Sequence, residues 1–215
     1  MNRTEKDALL DVQGLNFDYG SKNVIRNFNL LTTPGVTWLC GANGSGKSTV
    51  LKLLGGALEP QSGTRSVAGF DAVLAPLHYR REVFWCGPDA LAFEHLTGAE
   101  YLAFIARLYP RFQSAALSKH IHGLGLSSQL GVQLGQLSTG TGRKVWLAAA
   151  LTVGTAVILL DEPFNALDEA SKAYLRNHIS DQATKRTQCW IIASHESPCE
   201  NSAVMQRLEL STHTT

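Results

Sequence analysis

Apolar residues fall at nearly every second position along residues 9–19, as Leu10, Val12, Leu15, Phe17 and Tyr19, which predicts a strand. Residues 24–31 predict a second strand, and Thr33-Pro34-Gly35 a turn, so an antiparallel sheet is expected at the N-terminus. Residues 36–40 read as a short buried strand, residues 41–46 as a glycine-rich loop, and residues 47–54 as a helix stopped by Gly55-Gly56. A turn is expected over 60–63 and another short strand over 83–86. Thr97 and Glu100 form a capping box that opens a helix carrying Leu102, Ile105 and Leu108 on one face, with Pro110 ending it. Helical and loop-like sequence continues to about residue 135. The last third alternates: strand 156–160, helix 169–185, strand 188–194, then a strand-like 205–210. Strand–helix alternation implies an α/β core with a parallel sheet, and residues about 90–150 read as a helical insertion into it.

The most apolar stretch, residues 145–160, is interrupted only by Thr152, Gly154 and Thr155. It falls short of the ~20 apolar residues that span a bilayer. It also divides at Val153-Gly154-Thr155 into a helical part and a continuous run, 156–160, that fits a buried parallel strand. The first ten residues carry several charged and polar side chains and no apolar h-region, so no signal peptide is expected.

Composition narrows the class. The chain has 215 residues, 44% apolar and 17% charged, which excludes a disordered chain. With 19 Lys+Arg against 18 Asp+Glu the net charge is +1, and no nucleic-acid partner is expected. The low charge fraction, against a usual ~25%, raises the prospect of surface covered by a partner. Cys40, Cys86, Cys189 and Cys199 form no C-x-x-C pair and read as reduced and buried. His120 and His122, with no third ligand nearby, read as a solvated loop and not a metal site.

Two motifs carry chemistry. Gly41-Ala42-Asn43-Gly44-Ser45-Gly46-Lys47-Ser48 matches G-x-x-x-x-G-K-[ST], with a strand before it and a helix after it. Backbone N–H groups of such a loop cradle phosphate oxygens, and the following helix adds the positive end of its dipole. Lys47 supplies a charge to the β- and γ-phosphates and Ser48 a ligand for Mg²⁺; Thr49 completes the candidate nucleotide site. The apolar run 157–160 then delivers Asp161, a second Mg²⁺ ligand, at the end of a strand, with Glu162 beside it as a candidate general base. Together these indicate a nucleoside-triphosphate hydrolase or kinase.

Leu137-Ser138-Thr139-Gly140-Thr141, beginning 24 residues before Asp161, resembles the LSGGQ signature of ATP-binding cassette (ABC) proteins. Tyr19 matches that family's adenine-stacking aromatic, Asn165-Ala166-Leu167-Asp168 its D-loop, and Ser194-His195 its H-switch. The resemblance covers roughly residues 8–210 and treats 1–215 as one cassette. It implies a P-loop NTPase with a RecA-like core, an N-terminal antiparallel β subdomain and an inserted helical subdomain. It further implies ATP and Mg²⁺, and a head-to-tail dimer with a second cassette, identical or not. Ser138 and the backbone at Gly140 would contact the γ-phosphate held by the other subunit. Glu162 would be the catalytic carboxylate, and His195 would contact the γ-phosphate. The implied function is ATP hydrolysis powering transport through separate integral-membrane subunits, from the cytoplasmic face of the inner membrane.

Three positions depart from the family pattern. Thr139 stands where Gly is usual and Thr141 where Gln is usual. Asp89, after Phe84-Trp85-Cys86-Gly87-Pro88, falls where the Q-loop glutamine is expected and is a further Mg²⁺-ligand candidate. The short chain and its ending resemble the haem-exporter ATP-binding subunit of cytochrome c maturation, though small drug-exporter cassettes look much the same. Two other readings stay open: a degenerate cassette that binds ATP with little hydrolysis beside an active partner, and a soluble non-transport ABC ATPase.

Overall fold

The computed structural model describes residues 8–20, 22–87, 93–199 and 205–210. Nine strands and six α-helices are described in it. Strands β1 (Leu10–Tyr19), β2 (Lys22–Thr32), β4 (Ser62–Val67) and β5 (Phe70–Asp71) form an antiparallel sheet in the order β2-β1-β4-β5. Strands β3 (Gly35–Cys40), β6 (Val83–Cys86), β7 (Val157–Asp161), β8 (Cys189–Ala193) and β9 (Met205–Glu209) form a parallel sheet in the order β6-β7-β8-β3-β9.

The central strands β3, β7 and β8 of the parallel sheet are buried on both faces, as their continuous apolar runs require, and β9 is a partly exposed edge. Alternate residues of β7 enter two different cores. Ile158 and Leu160 join Leu147, Leu175 and Trp190 on one face. Val157 and Leu159 join Leu51, Leu54 and Ile191 on the other. Helix α1 (Lys47–Leu54) follows β3 and fills that second face with Val50, Leu51, Leu53 and Leu54. Helix α6 (Glu169–Lys185) covers the first face with Leu175 and Ile179. Between β6 and β7 the chain makes α3 (Gly98–Leu108), α4 (Ser114–Gly123) and α5 (Thr139–Ala150). The Thr97 capping box is present: its hydroxyl accepts from the Glu100 N–H, and Glu100 accepts the Thr97 N–H at 2.8 Å.

The expected α/β architecture, with its antiparallel sheet and helical insertion, is therefore the one observed. Three local readings change. Strand β4 begins at Ser62, inside the expected 60–63 turn, and pairs with β5 through Ser66–Asp71 and Val67–Phe70. Helix α2 (Pro76–Glu82) follows, anchored by Tyr79, whose hydroxyl donates to the Leu54 carbonyl at 2.6 Å. Leu108, expected on the buried face of its helix, is 49% exposed.

The histidine pair is a correction. His120 lies on α4 and not in a solvated loop; only His122 is exposed. His120 is buried with its Nδ1 2.9 Å from the Tyr174 hydroxyl, and its ring meets His178 edge-on at 5.1 Å. Lys119 lies near both imidazoles, and His178 also faces Trp190, Gln182, Asp181 and Lys185. Burial lowers both imidazoles from 6.5 to about 4. A base held neutral in the folded state stabilises above its unfolded value, and the contribution is lost as pH falls through the window from 6.5 to about 4. Thermal melts should therefore drop by about 2–6 °C between pH 7 and pH 5. His120→Asn with His178→Asn should flatten that slope; an unchanged slope would refute the assignment.

Candidate functional site

The parallel register aligns three strand ends. Leu39 of β3 pairs with Ala193 of β8, and Ala193 pairs with Asp161 of β7. The loop 41–46, His195 and Glu162 all leave the sheet from this carboxyl edge, where ligands bind in open α/β sheets.

The loop is tightly built. Gly41 has φ 147°, and a Cβ there would sit 2.5 Å from the Leu210 carbonyl oxygen and 2.8 Å from Ser45 Oγ, so only glycine fits. Gly46 packs beneath Val24 and Ile25 of β2. The first intrahelical bond of α1 runs from the Val50 N–H to the Gly46 carbonyl at 2.8 Å, so the N–H groups of Lys47, Ser48 and Thr49 lie ahead of it. Such a helix start binds anions. Lys47, almost wholly buried, spans the loop and donates to the carbonyls of Gly41 at 2.8 Å and Ala42 at 3.1 Å. Asn43 and Gly44 form the exposed crown of the loop, and Ser45 Oγ is buried with no hydrogen-bond partner.

Asp161 is 1% exposed, and its Oδ2 has no hydrogen-bond partner. Burial raises its carboxyl above the ordinary value, opposed by a Ser48 hydrogen bond and by Lys52, Arg143 and Lys47. An unpartnered buried carboxylate oxygen beside a serine hydroxyl fits an oxygen-coordinated divalent cation such as Mg²⁺. Glu162 has φ 47°, a left-handed conformation that costs a non-glycine residue about 1–3 kcal/mol. Its N–H donates to the Ala193 carbonyl at 2.9 Å. Its carboxylate lies 3.3 Å from His195 Nε2. Burial raises the Glu162 carboxyl, and His195 and Lys47 oppose the rise. His195 is carried by a braced segment: the Trp38 indole donates to the Ser194 carbonyl at 3.0 Å, and Arg176 pairs with Glu196 at 2.8 Å.

Tyr19 ends β1 with its ring half exposed and edge-on to Phe17 at 4.8 Å, available for stacking. Its partner strand β2 is the one packed on Gly46. Asp89 lies outside the described residues.

The segment 137–141 starts α5. Ser138 caps it, accepting the Thr141 N–H at 3.2 Å and lying 2.9 Å from the Thr141 hydroxyl. Thr141, off-pattern in sequence, is thus a partner of the signature serine. The first intrahelical bond, from Gly142 to Ser138, leaves the N–H groups of Thr139 and Gly140 ahead of it. Gly140 has a further reason to lack a side chain: its Cβ would stand 2.2 Å from the Ala166 carbonyl oxygen of the 165–168 turn. Lys144 pairs with Asp168, the cap of α6, and this bond with the Ser171 N–H holds the Asp168 carboxyl well below its usual range. Nothing local in the sequence marks what Lys144 or its neighbour Arg143 reaches.

The ABC transporter family pattern matches residues 26–165, more than half of the chain. The chain belongs to the ABC transporter family. Its cassettes are ATPases coupled to transport. YdbJ, an uncharacterized ABC transporter ATP-binding protein of Bacillus subtilis, is 26% identical over 210 residues, covering 95% of this chain and 68% of that one. The Fe(3+) ions import ATP-binding protein FbpC 3 of Rhodococcus jostii is 32% identical over 196 residues, covering 88% of this chain and 56% of that protein. The chain therefore spans little more than half of the iron-import relative. A solved ATP-binding subunit of an ABC transporter superposes with a TM-score of 0.78 at 26% identity, covering 87% of this chain and 79% of that one. Among the described residues no helix is long and apolar enough to cross a membrane.

Lys47→Ala removes the cation that spans loop 41–46, the expected phosphate loop. Affinity for a fluorescent ATP analogue should fall at least about tenfold, with the melting profile little changed; unaltered affinity would refute the phosphate-loop assignment.

Proposed function

We propose that this chain, as one cassette, binds and hydrolyses ATP to drive transport through separate integral-membrane subunits, at the cytoplasmic face of the membrane. The observation that carries the reading is Glu162, one residue beyond Asp161, in contact with His195 at the edge where loop 41–46 emerges.

The loop N–H groups and the start of α1 take the β- and γ-phosphates, with Lys47 as counter-charge. Tyr19 stacks on the adenine. Ser48 and Asp161 would hold Mg²⁺, which supplies charge neutralisation on the phosphate oxygens. Glu162 accepts a proton from water as the water oxygen bonds to the γ-phosphorus. The bond from that phosphorus to the bridging oxygen breaks, and ADP leaves with the electron pair. A carboxyl raised by burial is a stronger base than an exposed one. His195, tethered to Glu162, contacts the γ-phosphate. Ser138 and the Gly140 N–H serve a second cassette's nucleotide, at a helix start whose dipole favours an anion.

The degenerate-cassette reading rests on Thr139 and Asp89; Thr139 occupies the first position of α5, and Asp89 lies outside the described residues. The haem-exporter assignment has no feature of this site behind it and is not carried further.

Glu162→Gln should reduce steady-state ATP turnover at least about 100-fold while ATP binding persists. In the wild type, turnover should fall on acidification as Glu162 takes up a proton and ceases to act as base. Full turnover in Glu162→Gln would contradict the proposal.

A further inference from the structure

Arg143 is buried at 9% exposure in the first half of α5, yet no carboxylate lies within ion-pair distance of it among the described pairs. Burying a guanidinium costs several kcal/mol unless its donors are satisfied. Here the acceptors are main-chain: Nη1 donates to the Glu162 carbonyl at 2.7 Å and reaches the Asp161 carbonyl at 3.4 Å. The Nε–H is buried without a partner. A buried cation that bonds two carbonyls, and leaves the Asp161 carboxylate oxygen free, is placed for geometry more than for charge pairing.

Glu162 is the residue whose backbone needs holding. Its left-handed φ of 47° persists only if its surroundings over-determine it. Three bonds do so: the Glu162 N–H donates to the Ala193 carbonyl, and the Glu162 carbonyl accepts both the Arg143 guanidinium at 2.7 Å and the Asn165 N–H at 3.2 Å, the Arg143 bond being the shorter and the one from a side chain. The same helix begins at Ser138, comes close to the 165–168 turn at Gly140 and is paired to it by Lys144.

We infer that Arg143 is a positioning residue for hydrolysis, setting the Glu162 carboxylate through its main chain and tying it to the helix that begins at the signature. The inference rests on the reading of Glu162 as the hydrolytic base. In a dimer it joins two nucleotide sites within one subunit: the start of α5 faces the partner's nucleotide, and its Arg143 steadies the carboxylate facing the subunit's own.

The test uses the purified full chain and compares Arg143→Met, Arg143→Lys, Glu162→Gln and the double variant Arg143→Met/Glu162→Gln. Arg143→Met keeps the bulk and removes the donors. It should lower kcat about tenfold or more with ATP affinity unchanged, and Arg143→Lys should recover part of the loss. In the double variant the residual rate should equal that of Glu162→Gln alone, since Arg143 acts through Glu162; a general structural defect would add a further loss. Wild-type kcat in Arg143→Met, or additive losses, would overturn the inference. If Met prevents folding, wild-type kcat in Arg143→Lys would overturn it, and a lowered kcat at unchanged affinity would support it. Turnover that survives Glu162→Gln would sink the underlying reading instead, which separates the two failures.

Discussion

Leu39, Ala193 and Asp161 lie side by side in the parallel register of β3, β8 and β7, and the site depends on that alignment. The strands are buried on both faces, so their backbone groups are consumed in the ladder and their polar chemistry is confined to the ends. A register slip of one residue would exchange the core-facing sets of β7 and move Asp161 off the edge from which loop 41–46 emerges. Hydrophobic burial of Val157 to Leu160 thus fixes where a carboxylate stands, although none of those residues has chemistry of its own.

Around that edge, polar contacts specify conformation. Gly41 admits the Leu210 carbonyl, and Gly140 admits the Ala166 carbonyl, each at a distance no side chain would permit. Glu162 is held in a left-handed conformation between β8 and α5. Helix α5 is bonded through Arg143 to the end of β7 and through Lys144 to the cap of α6, and it comes close to the 165–168 turn at Gly140. The segments expected to touch ATP from two subunits are therefore joined through α5.

Much of this was legible in the sequence because it is periodic or positional. The apolar run before Asp161 and the G-x-x-x-x-G-K-S spacing locate β7, the loop and α1, and the capping box locates α3. What was not legible depends on contacts between segments distant in sequence. Strands β4 and β5 are short and polar and exist through pairing, not pattern. His120 looks like a solvated residue until α4 packs on α6 and buries it against Tyr174 and His178. Arg143 carries no local mark, since its acceptors are carbonyls eighteen and nineteen residues away. Thr141 reads as a defect in a motif, whereas its N–H and hydroxyl both engage Ser138.

In the proposed dimer the start of α5 completes the nucleotide site of a second cassette. Light scattering on Glu162→Gln, which should bind ATP without consuming it, measures this directly. Twice the monomer mass is expected with ATP and monomer mass with ADP, and the ATP-dependent doubling should disappear on adding Ser138→Arg. A Glu162→Gln protein that binds ATP yet remains monomeric at every concentration tested would contradict it.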